Sequence, residues 1–386
     1  MKLFDNTEIA FCLKSDSELE RAYFLFKMIQ NQPMVRIGTA VTNFALKAHL
    51  PIEGLIRSTV FDHFCGGVTE EDCIPNIERM YSRQVHTVLD YSVEGREEEA
   101  QFDGAKNKML KSIEFAKGRA PVPFIVFKPT AVGRFALYEK IAEKTALTHN
   151  EKSEWLAVVS RFREICSKAK EYDVPVLIDA EESWVQGAAD NLAEELMETY
   201  NKDKAIVFST LQMYRYDRMD YLKKLHQRAK AKDYYLGLKI VRGAYMEKER
   251  ERAVEKGYPS PICANKQATD ENYDNALQYM MRHPKMALFA GTHNEESSYL
   301  LINLTHAYKI KPEDKRLWFG QLYGMSDHIS FNLAKEGYNV AKYVPYGPVR
   351  NVMPYLIRRA EENTSVAGQT NRELNLIKEE RKRRKV

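Results

Sequence analysis

Hydrophobic and polar positions along the chain change their rhythm at about residue 85. Beyond that point, short apolar, β-branched runs alternate with longer amphipathic segments, a pattern typical of strands that alternate with helices. The apolar runs predict eight strands, at 86–92, 122–128, 174–179, 204–212, 234–241, 286–293, 316–323 and 339–343. The amphipathic segments predict helices at 97–117, 133–170, 184–200, 217–232, 266–283, 295–308, 326–336 and 351–362. Eight consecutive βα units are typical of the closed (β/α)8 barrel of TIM type, an α/β fold.

An open, doubly wound sheet is the alternative fold. No predicted strand is followed by G-x-G-x-x-G, which removes the usual reason for choosing that fold. The chain of 386 residues has room for a barrel of about 250 residues and an N-terminal extension. The sequence therefore favours the closed barrel.

The first 84 residues are predicted to be helical. Ser15-Asp-Ser-Glu18 indicates a helix start, and further helices are expected at 36–49, 52–64 and 74–83. The segment 129–155 is longer than an ordinary connection and is predicted to be a lid. We therefore divide the chain into an N-terminal helical extension (1–84), a barrel (85–366) and a charged C-terminal tail (367–386).

Charge and cysteine content exclude several classes of protein. The net charge of +4 is small beside 58 basic and 54 acidic residues, so a nucleic-acid partner is not predicted. Five cysteines without a C-x-x-C pair argue against a disulfide framework and a zinc site. The chain shows no secretory signal and no membrane-spanning apolar stretch, so any membrane contact is expected to be peripheral. The run Arg381-Lys-Arg-Arg-Lys385 is interpreted as a solvated tail, with a lipid or nucleic-acid contact as the alternative.

Polar side chains gather at the carboxyl ends of the predicted strands, where a barrel carries its active site. In strand order, these ends supply Glu94, Lys128, Asp179, Gln212, Lys239 with Arg242, His293 with Asn294, Gln321 with Tyr323, and Tyr343. Contact with solvent accounts for some of them, but not easily for a Lys, an Asp and a Gln that close three consecutive strands. Gly243 lacks the Cβ that would keep a flat ring or a phosphate away from the backbone.

The eighth βα unit adds two adjacent arginines. Arg359 lies one turn after Tyr355, and Glu362 lies one turn after Arg358. Paired guanidiniums suit a carboxylate ligand, because each can donate two parallel hydrogen bonds. No metal site is predicted, since His293 has no second His or Cys at ligand spacing.

Two other classes of protein stay open on the residues alone. A Schiff-base lyase could use Lys128 or Lys239 as its nucleophile. A non-catalytic scaffold built on a decayed barrel is the second alternative.

With these motifs, the chain resembles the proline dehydrogenases, flavin-dependent barrels that oxidise L-proline to Δ1-pyrroline-5-carboxylate in the first step of proline catabolism. The similarity runs from about residue 85 to residue 366. It is carried by Leu89-Asp-Tyr-Ser-Val-Glu94, Phe127-Lys128, Ile178-Asp-Ala-Glu-Glu182, Leu211-Gln-Met-Tyr214, Lys239-Ile-Val-Arg-Gly-Ala-Tyr245, Gly291-Thr-His-Asn294, Gln321-Leu-Tyr-Gly-Met325, Tyr343-Val-Pro-Tyr-Gly347 and Tyr355-Leu-Ile-Arg-Arg-x-x-Glu-Asn363.

The resemblance implies noncovalently bound FAD and hydride transfer from the proline ring, with catalytic roles for Asp179 beside the amine and Lys239 near the flavin. The residues it implies for substrate binding are Lys128, Tyr245, Leu322, Tyr343, Tyr355, Arg358 and Arg359. The residues it implies for flavin binding are Ala180, Gln212, Lys239, Arg242, Gly243, Ala244, Tyr245, Thr292, His293, Asn294, Gln321 and Glu362. Glu94 matches the acid that pairs with Arg358 as a gate.

The order Lys239-x-x-Arg242 resembles the mitochondrial-type branch of the family, whereas the bifunctional bacterial members carry the reverse order. The resemblance therefore implies a monofunctional enzyme. It also implies a membrane quinone as electron acceptor. The cysteine content predicts a reducing compartment, and we expect a cytoplasmic location with peripheral contact to the inner face of the membrane. A related branch oxidises 4-hydroxyproline, and Tyr343 favours proline because that branch has a smaller residue there.

Overall fold

The computed structural model describes residues 2–31, 57–92, 98–365 and 367–386, with isolated positions 33, 38 and 54; at 58–59, 358–365 and 367–370 it describes the backbone alone. Eight strands form a closed barrel in chain order, with β8 pairing in parallel with β1. The strands are β1 Val85–Tyr91, β2 Phe124–Phe127, β3 Val176–Ile178, β4 Val207–Gln212, β5 Leu236–Val241, β6 Met286–Gly291, β7 Leu317–Leu322 and β8 Val340–Tyr346. The predicted fold and its eight strands are confirmed, with strand ends that differ by a few residues.

Helices lie before, between and after the strands. Those before the barrel are α1 Thr7–Ala10, α2 Asp16–Ile29, α3 Asp62–Phe64, which follows a π-helical turn at Arg57–Phe61, and α4 Glu70–Tyr81. Those between strands are α5 Glu99–Ala116, α6 Phe135–Ala142, α7 His149–Tyr172, α8 Ser183–Tyr200, α9 Arg218–Ala231, α10 Met246–Lys256, α11 Lys266–Met281, α12 Glu295–Ala307 and α13 Asp327–Lys335. After β8 follow α14 Val349–Ser365 and α15 Ala367–Arg384, and 3-10 turns occur at Leu3–Asp5 and Pro129–Ala131.

The helices between the strands differ from the prediction in two places, and α15 was not predicted. The helix predicted at 133–170 is two helices, because Lys144 turns the backbone to a φ of +57° and Thr148 caps the start of α7. Helix α10 was not predicted, because its buried face consists of Glu249 and Ala253 and shows no apolar stripe. The helix predicted at 36–49 lies outside the described residues, as does part of that at 52–64.

The segment predicted to be a lid comprises the turn Pro129–Ala131, α6 and the start of α7. Arg134 pairs with Glu154 at 2.7 Å, and Lys140 pairs with Glu151 at 2.6 Å. These ion pairs hold α6 against α7, and opening of the segment stays a prediction.

Aromatic side chains fill the barrel near the amino-terminal ends of its strands. The ring of Phe124 makes edge-to-face contacts with Phe208, Phe289 and Trp318, with centroids 5.1–5.6 Å apart. Gly320 is needed beside them, since a Cβ there would lie 2.1 Å from the Phe289 ring. This end of the barrel is a packed core, which leaves the opposite end for polar groups.

The chain divides into two compact units, Met1–Glu94 with Gln321–Val386, and Gly95–Gly320. The capping box predicted at the start of α2 is present in the first unit, where the Glu18 N–H donates to Ser15 Oγ and the Ser15 N–H donates to Glu18 Oε2. No helix in the described ranges is both long enough and apolar enough to cross a membrane.

The C-terminal run is part of a packed helix. Leu376 and Ile377 of α15 lie in a buried cluster with Leu19 of α2. Arg381 pairs with Glu20, and Arg384 donates to the backbone oxygen of Lys14 at 2.7 Å. The interpretation of this run as a solvated tail is therefore wrong for these two arginines, because Arg381 binds α2 and Arg384 binds the segment before α2.

Candidate active site

In the unit Gly95–Gly320, a lysine and a carboxylate from different strands meet. Lys239 of β5 is 5% exposed, and its Nζ donates to Oδ1 of Asp179, which follows β3. The Asp179 N–H donates to the Phe127 oxygen at 3.0 Å, which extends the β2–β3 ladder to the residue before Lys128. The strand register thus brings together Asp179 and Lys239, the two residues predicted to be catalytic.

Gln212 closes β4 and is almost fully buried, with 3% of its surface exposed. Its Oε1 accepts no hydrogen bond from any described residue. An unsatisfied buried amide oxygen costs about 1–3 kcal/mol, so a partner is expected to supply the missing donor. Gln212 therefore offers a buried acceptor at the end of β4 that a ligand could use.

Arg242 is held by the protein itself. Its guanidinium donates to Asp270 Oδ1 at 2.7 Å, to Thr292 Oγ1 at 2.8 Å and to Ser297 Oγ at 3.0 Å. It also lies over the ring of Tyr273, 4.5 Å from the centroid. The orientation of this cation is thus determined by α11 and by the start of α12.

Other residues predicted to bind the flavin also have structural contacts. The Asn294 side chain caps α12 by accepting from the Ser297 N–H at 3.0 Å, and the Asn294 N–H donates to Thr292 Oγ1 at 3.1 Å. Tyr245 is the residue before α10. Ala244 is exposed, whereas Tyr245, Ala180 and His293 are half-buried.

Gly243 requires its lack of a side chain for a reason that the sequence did not indicate. Its φ is +137°, and an added Cβ would lie 2.6 Å from the ring of Tyr214. The contact with Tyr214 is thus a structural reason for glycine at this position, and the role of Gly243 beside a bound ring or phosphate stays a prediction.

The structure adds a carboxylate that sequence reasoning missed. Glu181 is 5% exposed and accepts hydrogen bonds from the backbone N–H and the hydroxyl of Thr130. Burial raises the pKa of Glu181 to about 7, although the Thr130 bonds and the charge of Lys128 lower it. The sequence spacing could have indicated this contact. Thr130 lies two residues after Lys128, Glu181 lies two residues after Asp179, and the turns after β2 and β3 are neighbours.

The unit Met1–Glu94 with Gln321–Val386 supplies a second set of predicted residues. Gln321 is buried, and its Oε1 accepts from the Ser330 hydroxyl at 2.8 Å. The Tyr323 N–H donates to the Tyr343 oxygen at 2.8 Å, which joins the ends of β7 and β8. Leu322 is half-buried beside this junction.

The direction of the Tyr343 side chain follows from that of its neighbour on β8. Lys342 is 1% exposed and its Nζ donates to Asp327 Oδ1 of α13 at 2.7 Å, so Lys342 faces the helix layer. Successive side chains on a strand point to opposite faces, and the Tyr343 side chain therefore faces the barrel interior. Tyr355 of α14 is 7% exposed and lies in an apolar cluster with Met325.

The side chains of several predicted site residues lie outside the described part of the chain. The backbone of α14 runs through Arg358, Arg359 and Glu362, whose side chains lie outside the described residues. Glu94 also lies outside the described residues. Within the described ranges, no group of three or more His, Cys, Asp or Glu side chains could hold a metal ion.

A buried Lys–Asp pair and an unpaired amide oxygen at the carboxyl ends of parallel strands are typical of an enzyme built on a (β/α)8 barrel. The profile of the family described as proline dehydrogenase matches residues 73–372. The chain therefore belongs to the proline dehydrogenase family of oxidoreductases, as its motifs predicted.

Individual proteins agree with this assignment. The chain is 36% identical to the carbapenem antibiotics biosynthesis protein CarD of Pectobacterium carotovorum subsp. carotovorum, over 91% of this chain and 92% of that protein. It is 30% identical to the mitochondrial proline dehydrogenase 1 of Arabidopsis thaliana, over 96% of this chain and 84% of that protein. The proline utilization A protein of Bdellovibrio bacteriovorus has a similar fold, with a TM-score of 0.73 and 20% identity over 93% of this chain and 38% of that chain.

Proposed function

We propose that this protein oxidises L-proline to Δ1-pyrroline-5-carboxylate, with FAD as the hydride acceptor. Membership of the proline dehydrogenase family supports the substrate class. The observation that carries the proposal is the buried Lys239–Asp179 pair, because both residues lie in the family motifs and come from different strands. A Schiff-base lyase is less well supported, since the ammonium of Lys239 is already paired with a carboxylate.

The described residues fit a flavin. A flavin ring carries carbonyl acceptors and an N–H donor, and the buried Oε1 of Gln212 needs such a donor. The cationic Lys239 is suited to the negative charge that a flavin acquires on reduction. When bound, FAD would supply the hydride acceptor that no side chain can provide. We propose that it is held by Ala180, Gln212, Lys239, Arg242, Gly243, Ala244, Tyr245, Thr292, His293, Asn294, Gln321 and Glu362.

The protein's own residues are proposed to orient proline and to manage charge. Lys128, Arg358 and Arg359 would hold the carboxylate, so that binding energy remote from the reacting carbon determines which ring atom is presented. Asp179 offers a carboxylate oxygen that can accept the amine proton. Loss of that proton and of a hydride from Cδ converts the amine to the cyclic imine.

The side chains proposed to surround the ring are largely apolar or aromatic. They are Tyr245, Leu322, Tyr343 and Tyr355. The Tyr343 ring is proposed to occupy the space near ring carbon C4, where an added hydroxyl group would clash with it. We therefore propose proline, and not 4-hydroxyproline, as the substrate.

The experiment that tests this function uses the purified protein. We expect a flavin absorption spectrum, release of the flavin on acid precipitation, and kcat/KM for L-proline at least about tenfold above that for trans-4-hydroxy-L-proline. A colourless protein that gains no activity when FAD is added would overturn the proposal. Preference for hydroxyproline would overturn the substrate assignment and leave the cofactor assignment intact.

Replacing Arg359 with methionine is expected to weaken substrate binding without loss of flavin. A lost charge-assisted hydrogen bond costs about 1.5–3 kcal/mol, so KM for proline should rise roughly 10- to 150-fold. Competition by simple ring carboxylates should weaken in parallel, because they use the same cation. Arg163→Met, at an exposed position of α7, is the matched control and should leave both values unchanged. Loss of flavin with an unchanged KM would contradict the assignment.

We further propose that a membrane quinone receives the electrons and that the protein docks on an anionic lipid surface through α2 and α15. Phe24 is 62% exposed on α2, between the exposed Arg21 and Lys27 at a spacing of three residues. The adjoining α15 exposes Lys382, and Lys385, directly after this helix, is exposed as well. An exposed aromatic ring flanked by basic residues is suited to the interface of an anionic bilayer.

Binding to phospholipid vesicles tests this surface. We expect the protein to sediment with vesicles that contain phosphatidylglycerol and not with vesicles of phosphatidylcholine alone. Lys382→Glu with Lys385→Glu should weaken binding about tenfold or more, since each basic residue near such a surface contributes about 1 kcal/mol. Lys223→Glu with Lys224→Glu makes the same change in net charge on exposed positions of α9 and should have a smaller effect. Equal effects of the two variants would contradict the proposed surface.

A further inference from the structure

The turns that follow β2 and β3 are joined by one buried carboxylate. Oε2 of Glu181 accepts from the Thr130 backbone N–H at 2.9 Å, and Oε1 accepts from the Thr130 hydroxyl at 2.5 Å. The Glu181 N–H donates in turn to Gln186 Oε1 at 2.8 Å, which fixes the backbone that carries the carboxylate. Both carboxylate oxygens are thus used on a single residue of the neighbouring turn.

That residue lies two positions after Lys128. The 3-10 turn Pro129–Ala131 is closed by a hydrogen bond from the Ala131 N–H to the Lys128 oxygen at 3.0 Å. The buried Tyr138 donates its hydroxyl to the Pro129 oxygen at 2.7 Å. Lys128 therefore projects from a turn whose backbone is held at successive residues.

The other side of Lys128 is held by the strand ladder. The Asp179 N–H donates to the Phe127 oxygen at 3.0 Å. Glu181 and Asp179 belong to one short segment, so this segment holds the β2 turn both before and after Lys128. Removal of the Glu181–Thr130 link would break the hydrogen bonds that join the segment after β3 to the turn after Lys128.

We propose that Glu181 and Thr130 are positioning residues that set Lys128 relative to Asp179, so that the carboxylate and the amine of the substrate are held at a fixed separation. This inference rests on the proposed function, which assigns Lys128 to the carboxylate and Asp179 to the amine. Neither Glu181 nor Thr130 need touch the substrate. Their effect is on pre-organisation of the site.

Burying the carboxylate of Glu181 lowers the stability of the folded protein near neutral pH, and this loss supports a role of Glu181 in function. Burial raises the pKa of Glu181 to about 7, while Lys128 lowers it and Glu182 raises it. The hydroxyl of Tyr138 also lies within electrostatic range of Glu181. Because the folded-state pKa is raised, the folded protein binds more protons than the unfolded chain between about pH 4.5 and 7, and stability is lost as the pH rises through this window. A neutral side chain could join the turns without that loss.

Two conservative substitutions test the inference. Thr130→Val keeps the shape of the side chain and removes the hydroxyl, so KM for proline should rise about fivefold, as expected for one lost hydrogen bond. The inhibition constant of cyclopentanecarboxylate, a ring carboxylate without an amine, should rise by the same factor, while kcat falls less. Thr130→Ser restores the hydroxyl and should return both values to within about twofold of the wild type.

Glu181→Gln provides an independent measurement. It keeps an acceptor for the Thr130 N–H and removes the charge, so we expect a KM between those of the wild type and Thr130→Val. Thr305→Val is the matched control, because Thr305 is fully buried in α12 and also donates its hydroxyl to a backbone oxygen, that of Ile302. This control should lower the melting temperature and leave KM unchanged.

The outcomes separate the inference from the proposed function. Wild-type values of KM and of the inhibition constant in flavin-loaded Thr130→Val and Glu181→Gln would overturn the positioning role. An equal rise in Thr305→Val would show that the effect is general destabilisation and would also overturn it. Failure of the wild-type protein to oxidise proline would instead overturn the proposed function. If Thr130→Val does not fold, the comparison of Glu181→Gln with Thr130→Ser decides the question in the same way.

Discussion

Lys239→Met is expected to lower kcat/KM for proline about a hundredfold or more. Lys239 is almost fully buried and donates to Asp179, so methionine would leave a carboxylate without its charged partner. Removing one member of a buried ion pair typically costs about 3–5 kcal/mol. Removing a group that stabilises developing charge lowers kcat by about 10²- to 10³-fold. Steady-state kinetics of the flavin-loaded variant is the measurement.

A double-mutant cycle shows whether the two residues act as a pair. Asp179→Asn combined with Lys239→Met should lose less activity than the sum of the single changes, because the second change finds the pair already broken. The matched control is Lys232→Met, which breaks an exposed pair with Glu198 at 2.6 Å and should change stability and activity little, because exposed ion pairs contribute little. Additive losses in the cycle would show that the Lys239–Asp179 contact carries no function.

Lys342→Met is expected to lower the free energy of unfolding by about 3–5 kcal/mol, the usual result of removing one partner from a buried ion pair. Nζ of Lys342 donates to Asp327 Oδ1 at 2.7 Å and also to the backbone oxygen of Met325. Lys14 reaches the same carboxylate at 3.2 Å. The buried ammonium thus joins β8 to the turn after β7 and to α13, and the carboxylate of Asp327 also binds the segment before α2. Denaturant unfolding at neutral pH is the measurement.

The pH dependence of this loss identifies its cause. Burial alone would raise the pKa of Asp327, but Lys342 and Lys14 hold it well below its usual range. Because the folded-state pKa is depressed, the stabilisation is present above the unfolded value of about 4 and is lost as the pH falls. The difference between wild type and Lys342→Met should therefore shrink in acid.

Lys335→Met, at an exposed position on the neighbouring helix α13, is the matched control and should change stability by less than about 0.5 kcal/mol. A Lys342→Met protein as stable as this control would show that the buried ion pair contributes nothing. A difference that stayed constant from pH 7 to pH 3 would show that packing, and not charge, causes the loss.

Sequence reasoning was strongest where a pattern is local. The eight apolar runs were recognisable because a parallel strand covered on both faces is apolar along its length. The start of α2 was recognisable because its Ser15–Glu18 capping box lies within four residues. Helix α10 was missed because its local pattern is uninformative: its buried face carries Glu249, so the sequence shows no apolar residues at helical spacing.

The pairing of polar groups was not predictable in this way. Arg242 was predicted to bind the flavin, but the sequence did not show that its guanidinium also donates to Asp270, Thr292 and Ser297. The basic run at the C-terminus was expected to be solvated, yet Arg384 donates to a backbone oxygen 370 positions earlier in the chain. A charged residue shows no preference for a partner until folding determines which opposite charge lies within reach.

The sequence by itself determined the number and order of the strands, the edge of the barrel that carries polar residues, and the family. It could do so because apolar runs, chain direction and short motifs are properties of neighbouring residues. Only the tertiary structure decided that Lys239 pairs with Asp179, that Glu181 holds the turn after Lys128, and that Lys342 is buried against Asp327. The register and curvature of the barrel bring these groups together from distant segments. Burial then strengthens the electrostatic interaction within each pair, because water screens it less.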